Sequence, residues 1–71
     1  MTEEWRDNFK RALRVQLRQK GWTQRDLSMH SGISEITISK YRNGTATPSV
    51  SSLIKMANAL GCKFGDLADF D

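Results

Sequence analysis

The sequence has little cysteine, proline and histidine. Its 71 residues include one cysteine, one proline and one histidine, and this scarcity excludes several classes of site. Cys62 cannot form an internal disulfide bond, and Cys62 and His30 together cannot supply the four ligands of a structural zinc site. The sequence also has no glycine-rich phosphate loop and no nucleophile elbow. We therefore expect no metal and no cofactor, and we do not expect an enzyme.

Long hydrophobic runs are also absent. The longest uncharged stretch begins at Asn43 and contains serine, threonine, glycine and proline, whereas a membrane-spanning helix needs about 20 apolar residues. Glu3 and Glu4 make the amino terminus acidic where a signal peptide is basic. We expect no membrane span, a cytoplasmic location and, at this length, a single domain over residues 1–71.

Basic residues dominate the middle of the chain, although the net charge is only +3. Residues 8–63 contain ten basic and two acidic side chains, whereas residues 64–71 contain three acidic side chains and no basic one. This asymmetry is typical of a surface that meets phosphates, but a solvated face without a partner explains it equally well.

Hydrophobic periodicity predicts an all-α fold of five helices around one core, because apolar residues recur at helical spacing and the alternation of β-strands is absent. The predicted helices are residues 3–19, 24–31, 35–42, 50–60 and 64–69. The first has an apolar stripe formed by Trp5, Phe9, Leu13 and Leu17, and the fourth has one formed by Val50, Leu53, Ile54, Ala57 and Leu60.

Capping residues define the second and third helices. Thr23 is predicted to cap the second helix, with Asp26 three residues later closing a capping box. Gly32 allows the left-handed turn that ends this helix, and Ser34 is predicted to cap the third helix. Ile38 is expected to fill the gap between the two helices.

Two short helices joined by a glycine-containing turn form a helix-turn-helix, whose second helix enters the DNA major groove. Four segments fit this unit: TQRDLS at residues 23–28, SGIS at 31–34, TISKY at 37–41 and NG at 43–44. They resemble the Cro/CI-type, lambda-repressor-like helix-turn-helix family of bacterial and phage regulators. The resemblance extends from about Phe9 to Leu67. It implies a compact five-helix bundle that binds operator DNA, with the helix-turn-helix at about 23–42 and the recognition helix at about 35–42.

The recognition helix carries four predicted base-reading residues, which are Glu35, Ile36, Ser39 and Lys40. Glu35 can accept from a cytosine amino group, Ile36 can press on a thymine methyl group, and Lys40 can donate to guanine. The helix dipole also explains an acidic residue at position 35, so Glu35 has an alternative role. Base contact is the better explanation for Ile36, because no core is near it in the predicted arrangement.

Eight residues on the first three helices and in the loop that follows are predicted to contact phosphates. They are Arg18, Thr23, Gln24, Arg25, Arg42, Asn43, Gly44 and Thr45. The resemblance implies that Gln24 holds a phosphate and braces the first reader. Relatives carry lysine or arginine in the loop after the recognition helix, whereas this chain has Thr-Ala-Thr at residues 45–47. We expect Arg18, Lys20 and Arg42 to compensate.

Two further positions depart from the family pattern. Ser28 stands where the family prefers alanine, and we expect its hydroxyl to donate to a backbone carbonyl one turn back. Leu17 and Arg42 stand where many relatives have an arginine–glutamate ion pair. Because both members of that pair are replaced together, no charge is left unpaired, so we expect Leu17 to join the core and Arg42 to face solvent or phosphate.

The expected function is transcriptional regulation, with a repressor that binds a palindromic operator as a homodimer as the leading case. The predicted dimer interface is Leu60, Phe64, Leu67 and Phe70, although these side chains can instead be used to cap the core. Two alternatives stay open. The same fold serves as the antitoxin of a toxin–antitoxin pair, whose partner is a protein, and the chain can also be the DNA-binding part of a longer repressor.

Overall fold

The computed structural model describes residues 3–68 and shows five α-helices, with no strand in that part of the chain. The helices are α1 (Glu3–Lys20), α2 (Gln24–Ser31), α3 (Glu35–Asn43), α4 (Val50–Leu60) and α5 (Phe64–Ala68). Nine of the ten helix ends lie within one residue of the predicted ones, and the predicted end of the fifth helix, Asp69, lies outside the described residues. Within residues 3–68, no helix combines the length and the apolar character that a membrane crossing requires.

The predicted stripe of α1 forms one side of the core. Phe9, Leu13 and Leu17 are buried. Trp5 stacks on Phe9 with ring centroids 5.5 Å apart, and Phe9 meets Tyr41 of α3 edge-on at 6.2 Å. Stacked and edge-to-face rings stabilise one another beyond the area that they bury, so this cluster fixes α1 against α3.

The buried face of α4 differs from the predicted one. Val50 and Ile54 of the predicted stripe are 60% and 46% exposed. The other three members, residues 53, 57 and 60, are buried as predicted, and Met56, whose apolar side chain favours a core position, is buried with them. Residues 53, 56, 57 and 60 have the same helical spacing as the predicted set, so periodicity alone cannot choose between two overlapping faces. Contacts of α4 with α1, α2 and α5 decide which face is buried.

The capping residues of α2 and α3 are the predicted ones. The Thr23 hydroxyl accepts from the Asp26 N–H, and the Asp26 carboxylate accepts from the Thr23 N–H at 2.9 Å, which completes the capping box. Gly32, whose φ of 75° lies in the left-handed region, caps the carboxyl end of α2. The Ser34 hydroxyl then accepts from the Thr37 N–H and starts α3.

Ser28 connects α2 to the turn before α3 by a hydrogen bond that differs from the predicted one. Its hydroxyl donates to the Ile33 carbonyl at 2.6 Å, so the prediction of a carbonyl one turn back is wrong. The acceptor lies ahead of Ser28 because the left-handed turn at Gly32 brings Ile33 back across the end of α2. The bond therefore fixes the entry of the chain into α3.

Trp22 lies at the junction between α1 and α2. It is half-buried against the core, and its ring stacks on the imidazole of His30 with centroids 4.4 Å apart and planes 9° from parallel. The Lys20 ammonium group lies 5.3 Å from the centroid of the Trp22 ring, within the range of a cation–π contact. These contacts link the end of α1 to the end of α2.

Candidate nucleic-acid interface

α3 has a buried side and an open side. Ile38 and Tyr41 are 0% and 6% exposed, and the Tyr41 hydroxyl donates to Ser52 Oγ of α4 at 3.2 Å. The open side borders a shallow hollow lined by Gln24, Glu35, Ile36, Ser39 and Lys40. The structure therefore brings the four predicted base-reading residues together and places the first residue of α2 beside them.

Ile36 is the apolar side chain of this hollow. It is 72% exposed, although full burial of such a side chain stabilises by about 1.5–3 kcal/mol. The core of the single chain leaves most of it uncovered. A thymine methyl group in the major groove is an apolar partner of suitable size.

The donors at the helix ends are not equally free to bind a ligand. The N–H and the hydroxyl of Thr23 both donate to the Asp26 carboxylate. The N–H and the hydroxyl of Thr45 both donate to the Lys40 carbonyl, and the Gly44 N–H donates to carbonyls at the end of α3. At these three predicted phosphate contacts, a phosphate would compete with the helix caps for the donor.

Other predicted phosphate contacts retain donors. Arg18 and Arg25 are exposed on α1 and α2. Asn43 is exposed at the end of α3, where its amide nitrogen lies 3.5 Å from Ser39 Oγ and leaves a second hydrogen for another acceptor. Ser39 and Asn43 therefore join the open side of α3 to its carboxyl end.

The two positions of the replaced ion pair have different environments. Leu17 is 3% exposed, which confirms that it joins the core. Arg42 is exposed, as predicted, but it also contacts the protein, because its Nη1 donates to Gln24 Oε1 at 3.2 Å. This bond links the carboxyl end of α3 to the start of α2.

Four basic residues form one edge of α1: Arg6, Lys10, Arg14 and Arg18. Of these, only Arg18 was predicted from the sequence to contact a phosphate. Arg6 Nη1 donates to the Gly44 carbonyl at 3.3 Å, and Lys10 Cδ lies 3.2 Å from the position that a Cβ on Gly44 would occupy. A second hollow is lined by Asp7, Lys10, Arg11, Arg14 and Arg42. The sequence signal was present, since the four basic residues recur at every fourth position, but an amphipathic helix with a solvated side explains the same pattern.

The carboxylate of Asp26 lies in the first turn of α2, where it accepts from Thr23. Hydrogen bonds from the backbone N–H and the hydroxyl of Thr23 hold the pKa of Asp26 below its ordinary value, and His30 and Arg25 lower it further. Asp26 is therefore ionised at neutral pH. Its negative charge serves the cap of α2, where it complements the helix dipole.

The four predicted dimer residues have different environments. Leu60 and Leu67 are 2% and 0% exposed, so they belong to the core of the single chain and have almost no surface to offer a second copy. For these two, the alternative of capping the core describes the structure. Phe64 is 41% exposed, and Phe70 lies outside the described residues.

Comparison of the chain with curated proteins and with solved structures gives no match. One protein family does match: its model, described as helix-turn-helix, covers residues 11–67, from the middle of α1 to the end of the bundle. The match covers most of the chain and includes both α2 and α3. The chain therefore belongs to the Cro/CI-type helix-turn-helix family, which is a family of DNA-binding proteins.

Proposed function

We propose that this DNA-binding protein is a transcriptional repressor that recognises a palindromic operator as a homodimer, with α3 in the major groove. The observation that carries the proposal is the hollow beside α3, where Gln24 and four side chains suited to base edges share one open surface. α3 has nine residues. At about 1.5 Å per residue its length is close to the roughly 12 Å width of the major groove.

The side chains of the hollow have complementary roles in this arrangement. Ile36 contacts a thymine methyl group, Lys40 donates to guanine, and Ser39 pairs with a donor or an acceptor. Glu35 accepts from a cytosine amino group. Because these groups span only about one and a half turns of α3, they reach neighbouring base pairs in one half-site.

Phosphate contacts surround these base contacts. Gln24 and Arg25 lie at the start of α2, and Arg42 and Asn43 lie at the carboxyl end of α3. The basic edge of α1 reaches the same end of α3 through Gly44 and supplies the positive charge that the loop at residues 45–47 lacks. Basic side chains at such positions provide the sequence-independent share of DNA affinity.

A homodimer matches the length of a palindromic operator, because one α3 covers only one half-site and the operator has two. Three apolar side chains on α4 and α5, which are Val50, Ile54 and Phe64, are exposed in the single chain. We propose that a second copy covers them in an isologous contact. Such a dimer occupies the operator and excludes the polymerase.

Selection of bound duplexes from a random-sequence library tests this function. The expected result is one enriched sequence with two inverted half-sites about 10 base pairs apart. Placing that sequence across a promoter should then lower transcription when the protein is added. A library that shows no enrichment, or an enriched site at which the protein raises transcription, contradicts the proposal.

A further inference from the structure

A single hydrogen bond between Arg42 and Gln24 fixes the polarity of the glutamine side chain. Arg42 Nη1 lies 3.2 Å from Gln24 Oε1. A guanidinium group has donors only, so the group of Gln24 that faces it is the amide oxygen. The acceptor of Gln24 is thereby engaged inside the protein, and its two amide hydrogens remain for a ligand that accepts.

The surrounding charge favours an anionic acceptor. Arg42 shares its hollow with Lys10, Arg11 and Arg14, together with the carboxylate of Asp7. Gln24 borders the adjacent hollow of the base-reading residues, so the Arg42–Gln24 pair lies between the two. A guanidinium group has five N–H donors, and the bond to Gln24 uses one of them.

The resemblance to the family already implies that Gln24 holds a backbone phosphate. We propose that Arg42 binds the same phosphate and also holds the Gln24 amide with its hydrogens outward, so that the two side chains form one clamp. Arg42 is thus both a ligand and a positioning residue for Gln24. The clamp rests on the proposed function, because it requires DNA at this surface. It also excludes a bidentate contact of Gln24 with adenine, which needs the amide oxygen.

Gln24→Glu separates this clamp from a purely structural link between α2 and α3. Glutamate still accepts from Arg42 and makes the contact an ion pair, but it has no hydrogen to donate and it repels a phosphate. We expect the melting temperature to stay the same or rise, and the affinity for every duplex to fall by about tenfold or more. If the Arg42–Gln24 bond serves only to hold α2 against α3, the DNA affinity of this variant should change in parallel with its melting temperature and should not fall.

A double-mutant cycle measures whether the two side chains act together. Gln24→Ala, Arg42→Met and the double variant are compared, and we expect the double variant to lose less affinity than the product of the two single losses. Arg42→Met should also lower the slope of log affinity against log salt by about 0.9 per half-site, the value for one phosphate contact. Lys55→Met, at an exposed lysine of α4 that lines neither hollow, is the matched control for one lost charge.

The measurements use fluorescence anisotropy with the 71-residue chain, the duplex enriched by selection and its single-base-pair variants. The clamp is overturned if Gln24→Glu binds like the wild type, or if the single losses multiply without coupling. It is also overturned if the loss is confined to duplexes that retain one particular G·C pair, because the amide then contacts a guanine edge. If the wild type enriches no duplex, the proposed function fails; if it does and the clamp variants bind normally, only the clamp fails.

Discussion

At the scale of single residues, Ile36 is the side chain at which stability and recognition can be separated most cleanly. It contributes little to the core, being 72% exposed. We expect Ile36→Ala to change the free energy of unfolding by less than about 0.5 kcal/mol. The same change should weaken binding by about 1 kcal/mol and relax the preference at one A·T pair, as measured by anisotropy on single-base-pair variants.

Met29→Ala is the matched control for this prediction, because Met29 is 74% exposed on α2 and lies outside the hollow. It should alter neither stability nor affinity. If Ile36→Ala binds every duplex as the wild type does, Ile36 is not a base-reading residue.

Ser28 gives the opposite case, a side chain that acts on stability alone. Ser28→Ala removes the donor to the Ile33 carbonyl in a partly buried turn. We expect the free energy of unfolding in urea to fall by about 1 kcal/mol, with the base preference of the protein unchanged. Ser51→Ala, at an exposed serine of α4, should have almost no effect on either. A Ser28→Ala variant that is as stable as the wild type contradicts this role.

The sequence reveals residue roles only where the partner is local. The caps at Thr23 and Ser34 were predictable because each bonds a group three residues away. The acceptor of Ser28 depends on the path of the turn, and the bond of Arg6 to Gly44 spans 38 positions in the chain. Neither of these two hydrogen bonds follows from the spacing of residues in the sequence, because each depends on how the chain folds back on itself.

At the scale of the helices, α2 depends on the ionised carboxylate of Asp26 in its capping box. Because the pKa of Asp26 is lower in the folded chain than its ordinary value of 3.8, the stabilisation is present above that value and is lost as the pH falls through the folded pKa. We expect Asp26→Asn to lower the melting temperature at pH 7 and to flatten its decline below about pH 4. Thermal melts from pH 2 to pH 7 measure this, and equal pH profiles for the two proteins contradict it.

Helix positions were predictable, whereas helix faces were predictable only where one stripe dominates. In α1 the four-residue recurrence of apolar side chains leaves one choice, and Phe9, Leu13 and Leu17 are buried as predicted. In α4 apolar residues occur on two overlapping faces, and contacts with neighbouring helices bury Met56 while Ile54 stays exposed. As a result, Val50 and Ile54, which the sequence pattern had assigned to the core, lie on the surface.

At the scale of the whole molecule, the positive charge of α1, α2 and α3 predicts a strong dependence of binding on salt. If a dimer neutralises about 6 phosphates, its affinity should fall roughly a thousandfold between 50 and 200 mM salt. Arg14→Met, which removes one charge from the basic edge of α1, should lower the slope by about 0.9 per half-site. Anisotropy titrations over this range measure the slope, and an affinity that is indifferent to salt contradicts the proposed phosphate contacts.

The central claim is that the open side of α3 lies against DNA. The most direct measurement is a titration of the isotope-labelled chain with the enriched duplex, followed by the shifts of the backbone amide resonances. The account predicts the largest shifts at residues 35–43 and at the start of α2, with smaller ones along the basic edge of α1. Large shifts of the amide resonances of α4 and α5, with the amide resonances of α3 unchanged, would contradict it.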